Sequence, residues 1–212
     1  MKKWSEEAWD AASEAYSQIL SLPFLKELAD GTLPMDTFRF YIGQDNLYID
    51  VYSRVLAHIA SRLSDMADVE TFLGFAADGV AVEKELHASY SPDTSCGMSM
   101  ACKFYTSHLR AQSMEDVAVE AAAILPCFWV YLEIGKHILA TAKLDGNPYR
   151  AWIETYSDPA FDRSNGKAIE ICDRLASLAT PAVRRRMTEV FVDGTRLEWL
   201  FWHTAYHKQM LF

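Results

Sequence analysis

Residues 121–135 read AAAILPCFWVYLEIG, and this stretch predicts a helix that is apolar nearly all round for two turns. Pro126 lies inside it, where a proline removes one backbone hydrogen bond and costs about 3 kcal/mol unless other contacts compensate. The carbonyl that loses its donor is that of Ala122, one turn earlier. Cys127 follows at the expected kink, with Tyr131 on the same face. Free cysteine is usually a small buried apolar residue, so this stretch alone predicts a core helix with an inert thiol.

The composition indicates one folded domain that spans residues 1–212. Half of the residues are apolar and 13% are aromatic, which excludes a disordered chain and suffices for one large core. The formal charge is −9 and the pI is about 5.1, whereas surfaces that bind nucleic acid or anionic membranes need clustered Lys and Arg. The only tight basic run, three arginines at 184–186, is interpreted as the solvated face of a helix.

Targeting and cysteine patterns predict a cytoplasmic protein. The N-terminus becomes acidic before any apolar stretch appears, so no signal peptide is expected. No segment approaches the length of uninterrupted apolar sequence that a membrane span needs. The four cysteines, Cys96, Cys102, Cys127 and Cys172, lack CxxC or metal-finger spacing, and scattered cysteines in an untargeted chain are typical of a reducing compartment.

Helical periodicity recurs along the chain, and no segment shows a convincing strand pattern. The pattern predicts an all-α single-domain bundle of about seven or eight helices, with long helices at 34–63, 66–90, 114–143 and from 180 onward. Local signals mark their ends: Gly31 as a C-terminal cap, Ser113 with Asp116 as a capping pair, and Thr180 before Pro181. The clearest loop is 91–98.

Three helix faces carry an ionisable group among aromatic residues, namely those of Asp45, Cys127 and Glu198. Asp45 shares its face with Tyr41, Tyr48 and Tyr52. Each carboxylate has an ordinary explanation, since Asp45 could be exposed and Glu198 could pair with Lys208 or an arginine.

The combination of these groups points to chemistry. A thiol nucleophile needs proton transfer partners. A flat heteroaromatic substrate needs aromatic walls, with carboxylates that bond its nitrogens.

The sequence does not predict a metal or a nucleotide cofactor. Glu83 and His87 are four residues apart, whereas di-iron helix bundles use Glu-x-x-His at a spacing of three on two helices. The nine glycines show no GxGxxG or GxxxxGK spacing, which phosphate-binding loops require.

Six segments in order resemble the thiaminase II (TenA) family, whose helical fold is shared with haem oxygenases, and the resemblance covers nearly the whole chain. They are DGTLP at 30–34, FRFY at 38–41 followed by Gln44 and Asp45, YTSHL at 105–109, LPCFW at 125–129 with Tyr131 and EIG at 133–135, WIETY at 152–156, and EWLFW at 198–202 with Ala205 and Tyr206.

The resemblance implies hydrolysis of 4-amino-5-aminomethyl-2-methylpyrimidine, and of thiamin, to 4-amino-5-hydroxymethyl-2-methylpyrimidine in thiamin salvage. It implies that Cys127 is the nucleophile, that Glu198 exchanges a proton with the ring nitrogen, and that Asp45 holds the amino group. The residues implied to line the pocket are Tyr48, Tyr105, Tyr131, Tyr156 and Phe201. The family is typically homotetrameric and needs no metal or organic cofactor.

Cys127 places the chain in the branch of the family that keeps the cysteine, and Phe128 stands where tyrosine is frequent. We further hypothesise that a kink at Pro126 frees the Ala122 carbonyl and tilts Cys127 out of the helix ladder into the pocket. Two alternatives stay open: a pyrimidine-binding or regulatory protein without significant turnover, and a haem-oxygenase-like oxidase.

Overall fold

A computed structural model of the chain describes residues 2–92, 95 and 97–211, without the side chains of 78–88. Over these residues it has nine α-helices, and no strand. Seven of them have twelve residues or more, so the predicted all-α class is confirmed. The helices are α1 (Trp4–Leu20), α2 (Pro23–Asp30), α3 (Met35–Arg62), α4 (Met66–Tyr90), α5 (Met100–Ala111), α6 (Val117–Thr141), α7 (Arg150–Tyr156), α8 (Pro159–Leu178) and α9 (Pro181–Tyr206).

Several helix ends follow from local side-chain chemistry. Thr180 accepts a hydrogen bond from the Val183 N–H, and Gly31 ends α2 at φ 72°, a conformation that glycine adopts at little cost. The predicted role of Ser113 is wrong. Ser113 lies in a 3₁₀ turn before α6, and the α6 cap is Asp116 alone, whose side chain accepts from the backbone N–H of Ala118.

Helix α6 is the central element of the core. It packs most extensively against α9 and also contacts α2, α3, α5, α7 and α8. Within the described residues it alone is long and apolar enough to cross a membrane, and 78% of its apolar window is buried in the protein. The other helices therefore cover this apolar surface.

Helix α6 continues through Pro126 and Cys127 without a break, although Pro126 supplies no backbone donor. The hypothesised kink that frees the Ala122 carbonyl and tilts Cys127 into the pocket stays a prediction. The Tyr52 hydroxyl donates to the Ile124 carbonyl at 3.0 Å, which ties α3 to α6 at this point. Pro126 itself packs against Gly194 of α9.

Ionic contacts join the helices at one end of the bundle. Glu120 of α6 is 1% exposed and lies 2.8 Å from His58 and 2.5 Å from Arg62, both on α3. The arginine run at 184–186 is only partly a solvated face, because Arg184 is 21% exposed and pairs with Glu7 of α1 at 2.9 Å.

The predicted loop lies between α4 and α5. Residues 91, 92, 95, 97 and 98 are not helical, which confirms a loop over the described part of 91–98. Cys96 and the side chains of Glu83 and His87 lie outside the described residues.

Candidate active site

The middle of α3 turns one carboxylate and three tyrosines into the core. Asp45 is 4% exposed, and Tyr41, Tyr48 and Tyr52 are buried beside it. The predicted shared face is therefore confirmed, and the alternative of an exposed Asp45 is wrong. Burial of a carboxylate is costly unless polar groups compensate, so this face of α3 is built for more than packing.

Glu198 of α9 is the second buried carboxylate and is 1% exposed. Its Oε1 accepts a hydrogen bond from the Tyr105 hydroxyl of α5 at 2.7 Å. Lys208, the cation suggested by the sequence, instead pairs with Asp36. The partner of Glu198 is thus a neutral donor, which leaves the carboxyl group free to keep its proton.

Burial raises the pKa of Glu198 from 4.5 to about 8, opposed by the Tyr105 hydrogen bond and reinforced by the charge of Asp45. A carboxyl group in this environment is mainly protonated near pH 7. Glu198 is therefore available as a proton donor, and Asp45 is close enough to influence it.

Cys127 lies among three tyrosines. Burial, and next the nearby Cys127, raises the pKa of Tyr48 and of Tyr52 well above the ordinary value. Burial raises the pKa of Tyr105 as well, and the nearby Glu198 and then Cys127 raise it further. Cys127 is only half-buried, so it is not a fully enclosed core residue.

Aromatic rings lie next to these polar groups, one set around Tyr48 and another around Tyr131. Tyr48 lies 4.8 Å from Tyr105 and 6.0 Å from Phe201, measured between ring centroids. The ring of Tyr131 lies 5.0 Å from that of Tyr156. Burial raises the pKa of Tyr131, and it is raised further by Tyr41, Glu198, Asp45 and Tyr156. The structure therefore brings together all eight residues named from the sequence: Asp45, Tyr48, Tyr105, Cys127, Tyr131, Tyr156, Glu198 and Phe201.

The sequence does not predict a site role for Tyr41, Tyr52 or Trp202. The Tyr41 and Tyr131 hydroxyls are 3.2 Å apart, and the rings of Trp202 and Tyr131 are 4.8 Å apart. Tyr41 and Tyr52 already shared the helical face of Asp45 in the sequence pattern, which was a usable signal. Trp202 lies on a helix that is aromatic nearly all round, so its sequence offered none.

Gln44 is a further buried polar residue beside Asp45. Its side-chain oxygen accepts from the Ser99 N–H at 2.7 Å, and its nitrogen donates to the Gly97 carbonyl at 2.9 Å. These bonds fasten the end of the loop before α5 to α3. Because α5 carries Tyr105, they also support the donor to Glu198.

A metal centre has no visible donor set in the described part of the chain. The described His, Cys, Asp and Glu side chains form no group of three that could hold an ion. The two carboxylates of this site, Asp45 and Glu198, are surrounded mainly by aromatic residues, an environment that suits a planar heteroaromatic ligand.

Comparison with known proteins agrees with the resemblance noted in the sequence. The model of the TENA/THI-4/PQQC family matches residues 9–208. The aminopyrimidine aminohydrolase of Bacillus subtilis is 32% identical over 217 residues, covering 98% of this chain and 91% of that protein. The thiamine biosynthesis multifunctional protein ThiED of Corynebacterium efficiens is 35% identical, covering 88% of this chain but only 26% of that longer protein.

A solved structure shows the same fold. The TenA homologue from P. horikoshii OT3 superimposes with a TM-score of 0.86 at 25% identity, covering 97% of this chain and 99% of that one.

Proposed function

Because the chain belongs to the TENA/THI-4/PQQC family, we propose that it is an aminopyrimidine aminohydrolase, a thiaminase II that acts in thiamin salvage through Cys127. The proposal rests on one observation above all: a buried acid, Glu198, shares an aromatic site with the half-buried thiol of Cys127. The relative from Bacillus subtilis, named for this activity, supports the choice of reaction.

In the proposed reaction the Cys127 thiolate adds to the pyrimidine ring, and Glu198 gives a proton to the ring nitrogen that gains the electron pair. The amine on the 5-methylene carbon, protonated as an ammonium group, then leaves as ammonia with the electrons of its carbon–nitrogen bond. Water adds to the same carbon and releases a proton to solvent. Departure of the Cys127 thiolate, with return of the proton to Glu198, restores the aromatic ring.

The remaining residues bind and orient the ring. Asp45 accepts a hydrogen bond from the 4-amino group, which a pyrimidine without that group does not offer. The flat walls are formed by tyrosine and phenylalanine rings, which stack on heteroaromatic ligands favourably. These residues are Tyr48, Tyr105, Tyr131, Tyr156 and Phe201.

The test is ammonia release from 4-amino-5-aminomethyl-2-methylpyrimidine by the parent protein and two cysteine variants. Cys127→Ser is expected to lower kcat at least ~10³-fold, as loss of a nucleophile does, while still binding the hydroxymethyl product. The matched control is Cys172→Ala, because Cys172 is fully buried in α8. Turnover by Cys127→Ser would refute covalent catalysis, and a parent that binds the pyrimidine without turnover would identify a binding protein.

A second assay ranks the substrates. Comparison of kcat/KM for thiamin, the aminomethylpyrimidine and its formyl derivative distinguishes thiamin cleavage from salvage of degraded pyrimidines. One methylene of fit changes such discrimination by only about 1–3 kcal/mol. The ranking therefore comes from kinetics.

The resemblance also leads us to propose a homotetramer in the cytoplasm. Exposed apolar side chains, among them Met114 at 92% and Leu178 at 87%, are available for contacts between subunits. Light scattering on the eluting peak of a sizing column measures the mass directly, and a monomer would contradict the proposal.

A further inference from the structure

Gly194 of α9 lies buried against α6 at a point where a side chain has no room. A Cβ atom at this position would be 2.7 Å from Cγ of Pro126 and 3.5 Å from the Ala123 carbonyl oxygen. The first distance is 0.7 Å short of the 3.4 Å at which ordinary van der Waals contact begins. The two helices therefore approach each other here as closely as their atoms allow.

The contacting atom cannot move aside easily. The ring of Pro126 fixes φ near −65° and closes on the backbone nitrogen, so its Cγ can shift only by a change of ring pucker. It is also inside a continuous helix. A methyl group at residue 194 therefore pushes α6 and α9 apart by the part of the overlap that a pucker change does not relieve.

The position of this contact in the two helices connects it to the candidate active site. Pro126 directly precedes Cys127, and Gly194 precedes Glu198 by four residues, about one helical turn. We propose that Pro126 and Gly194 act as positioning residues that set the separation between Cys127 and Glu198. This inference rests on the proposed function, in which the two side chains act on the same pyrimidine ring.

Both halves of the contact carry a local cost that packing has to offset. Glycine within a helix is roughly 1 kcal/mol less favourable than alanine, and an interior proline is about 3 kcal/mol less favourable. Neither residue is therefore explained by helix stability. The pair instead allows α6 and α9 to approach each other closely, because alanine at residue 194 would force the two helices further apart.

The separation matters because covalent catalysis needs the nucleophile and the acid placed together against one substrate. A misplacement of about 1 Å can lower a rate by ~10²-fold. A Cβ at residue 194 demands a shift of a similar size. The expected result of Gly194→Ala is a fall in kcat of about 10- to 100-fold with KM little changed.

The experiment uses three variants and a matched control in the full chain. Pro126→Ala removes the Cγ atom, so the double variant Gly194→Ala/Pro126→Ala leaves nearest contacts of 3.4 Å to Cβ and 3.5 Å to the Ala123 oxygen. We expect the double variant to recover kcat to within about threefold of Pro126→Ala alone. The control is Gly166→Ala in α8, where a Cβ would meet nothing within 4 Å, and its kcat should be that of the parent.

A readout that needs no turnover accompanies the kinetics. The rate of iodoacetamide alkylation of Cys127 is measured against pH, with Cys127→Ser as the background. Gly194→Ala is expected to shift this profile from that of the parent, and the double variant is expected to restore it.

Each result decides the proposal. A kcat for Gly194→Ala within twofold of the parent, or a double variant as slow as Gly194→Ala, would overturn it. If Gly194→Ala fails to fold, as judged by circular dichroism, the double variant alone decides through its activity. Failure of the proposed function is separate, since it would appear as absence of ammonia release from the parent while the alkylation profiles still report the spacing.

Discussion

Glu198 keeps its proton near neutral pH because its carboxyl group is buried and lies near the charge of Asp45. A general acid works best when its pKa is close to the working pH. Burial thus gives a residue with an ordinary pKa of 4.5 a proton to donate under conditions where exposed carboxyl groups have none. The raised pKa also affects the stability of the fold.

Glu198→Gln is expected to flatten the dependence of stability on pH. The carboxyl titrates at 4.5 when unperturbed and at about 8 in the folded protein, so between these values the folded state binds a proton that the unfolded state has released. The free energy of unfolding of the parent therefore falls as pH rises, by up to about 1.4 kcal/mol per pH unit. Urea titrations across this window should show the difference between parent and variant growing with pH, and parallel curves would contradict the raised pKa.

Two further substitutions should move the pKa of Glu198 in opposite directions. Tyr105→Phe removes the hydrogen bond that lowers it, and Asp45→Asn removes the charge that raises it. The upper end of the sloping region in the pH–stability curve should therefore move to higher pH in the first variant and to lower pH in the second.

The matched control for this pair of variants is Tyr206→Phe. Its hydroxyl donates to Glu27 at 2.7 Å, outside the candidate active site. This control should leave the upper end of the sloping region in the pH–stability curve unchanged. A shift of the same sign in Tyr105→Phe and Asp45→Asn would refute the opposing effects of the hydrogen bond and the charge on the pKa of Glu198.

At the scale of single residues, the sequence predicted which groups lie together better than it predicted their hydrogen-bond partners. Asp45, Cys127 and Glu198 were identifiable because each is an ionisable group on an aromatic helix face. The donor to Glu198 was not identifiable, since Tyr105 is 93 positions away and any cation nearby in sequence was an equal candidate. A hydrogen bond across helices depends on their packing, which no local pattern specifies.

At the scale of the helices, a buried ion pair holds α3 against α6. Glu120 is 1% exposed and Arg62 is 26% exposed. Removing the arginine leaves a buried carboxylate whose remaining contact is His58, 2.8 Å away. Loss of one partner from a buried pair is far more costly than loss of an exposed pair.

Arg62→Met is therefore expected to lower the free energy of unfolding by about 3 kcal/mol, the low end of the range for broken buried pairs because His58 remains. Urea denaturation measures this fall in the free energy of unfolding. The matched control is Arg54→Met on the same helix, whose pair with Asp50 is 66% and 67% exposed and should contribute less than ~1 kcal/mol. Equal effects of the two substitutions would show that burial of Glu120 has no energetic weight.

Helix ends were predictable and helix contacts were not, for the same physical reason. The caps at Gly31 and Thr180 depend on residues within one turn, which the sequence displays directly. The contact between Pro126 and Gly194 joins two helices whose facing surfaces are set by the whole bundle. The sequence therefore predicts only a kink at Pro126, whereas the structure also places this residue against Gly194 of α9.

At the scale of the whole molecule, the candidate active site is also the centre of the core. Helices α3, α5, α6 and α9 each contribute a side chain to it and contact one another. The all-α class followed from periodicity over the full length, but this overlap of site and core did not. A ligand that joins the four helices should stabilise the entire fold, since binding to the folded state alone adds to the free energy of unfolding.

The product 4-amino-5-hydroxymethyl-2-methylpyrimidine is therefore expected to raise the Tm of the protein. At a concentration 100 times its Kd it should add about 2.7 kcal/mol, which corresponds to roughly 5–11 °C for a chain of this size. Differential scanning calorimetry measures the shift, and Cys127→Ser should show it too because binding does not need the thiol. The control ligand is the same pyrimidine without its 4-amino group, which should raise the Tm less in the parent. In Asp45→Asn the two ligands should become similar, because the carboxylate proposed to bind that amino group is gone, and an unchanged preference would assign amino-group recognition to another residue.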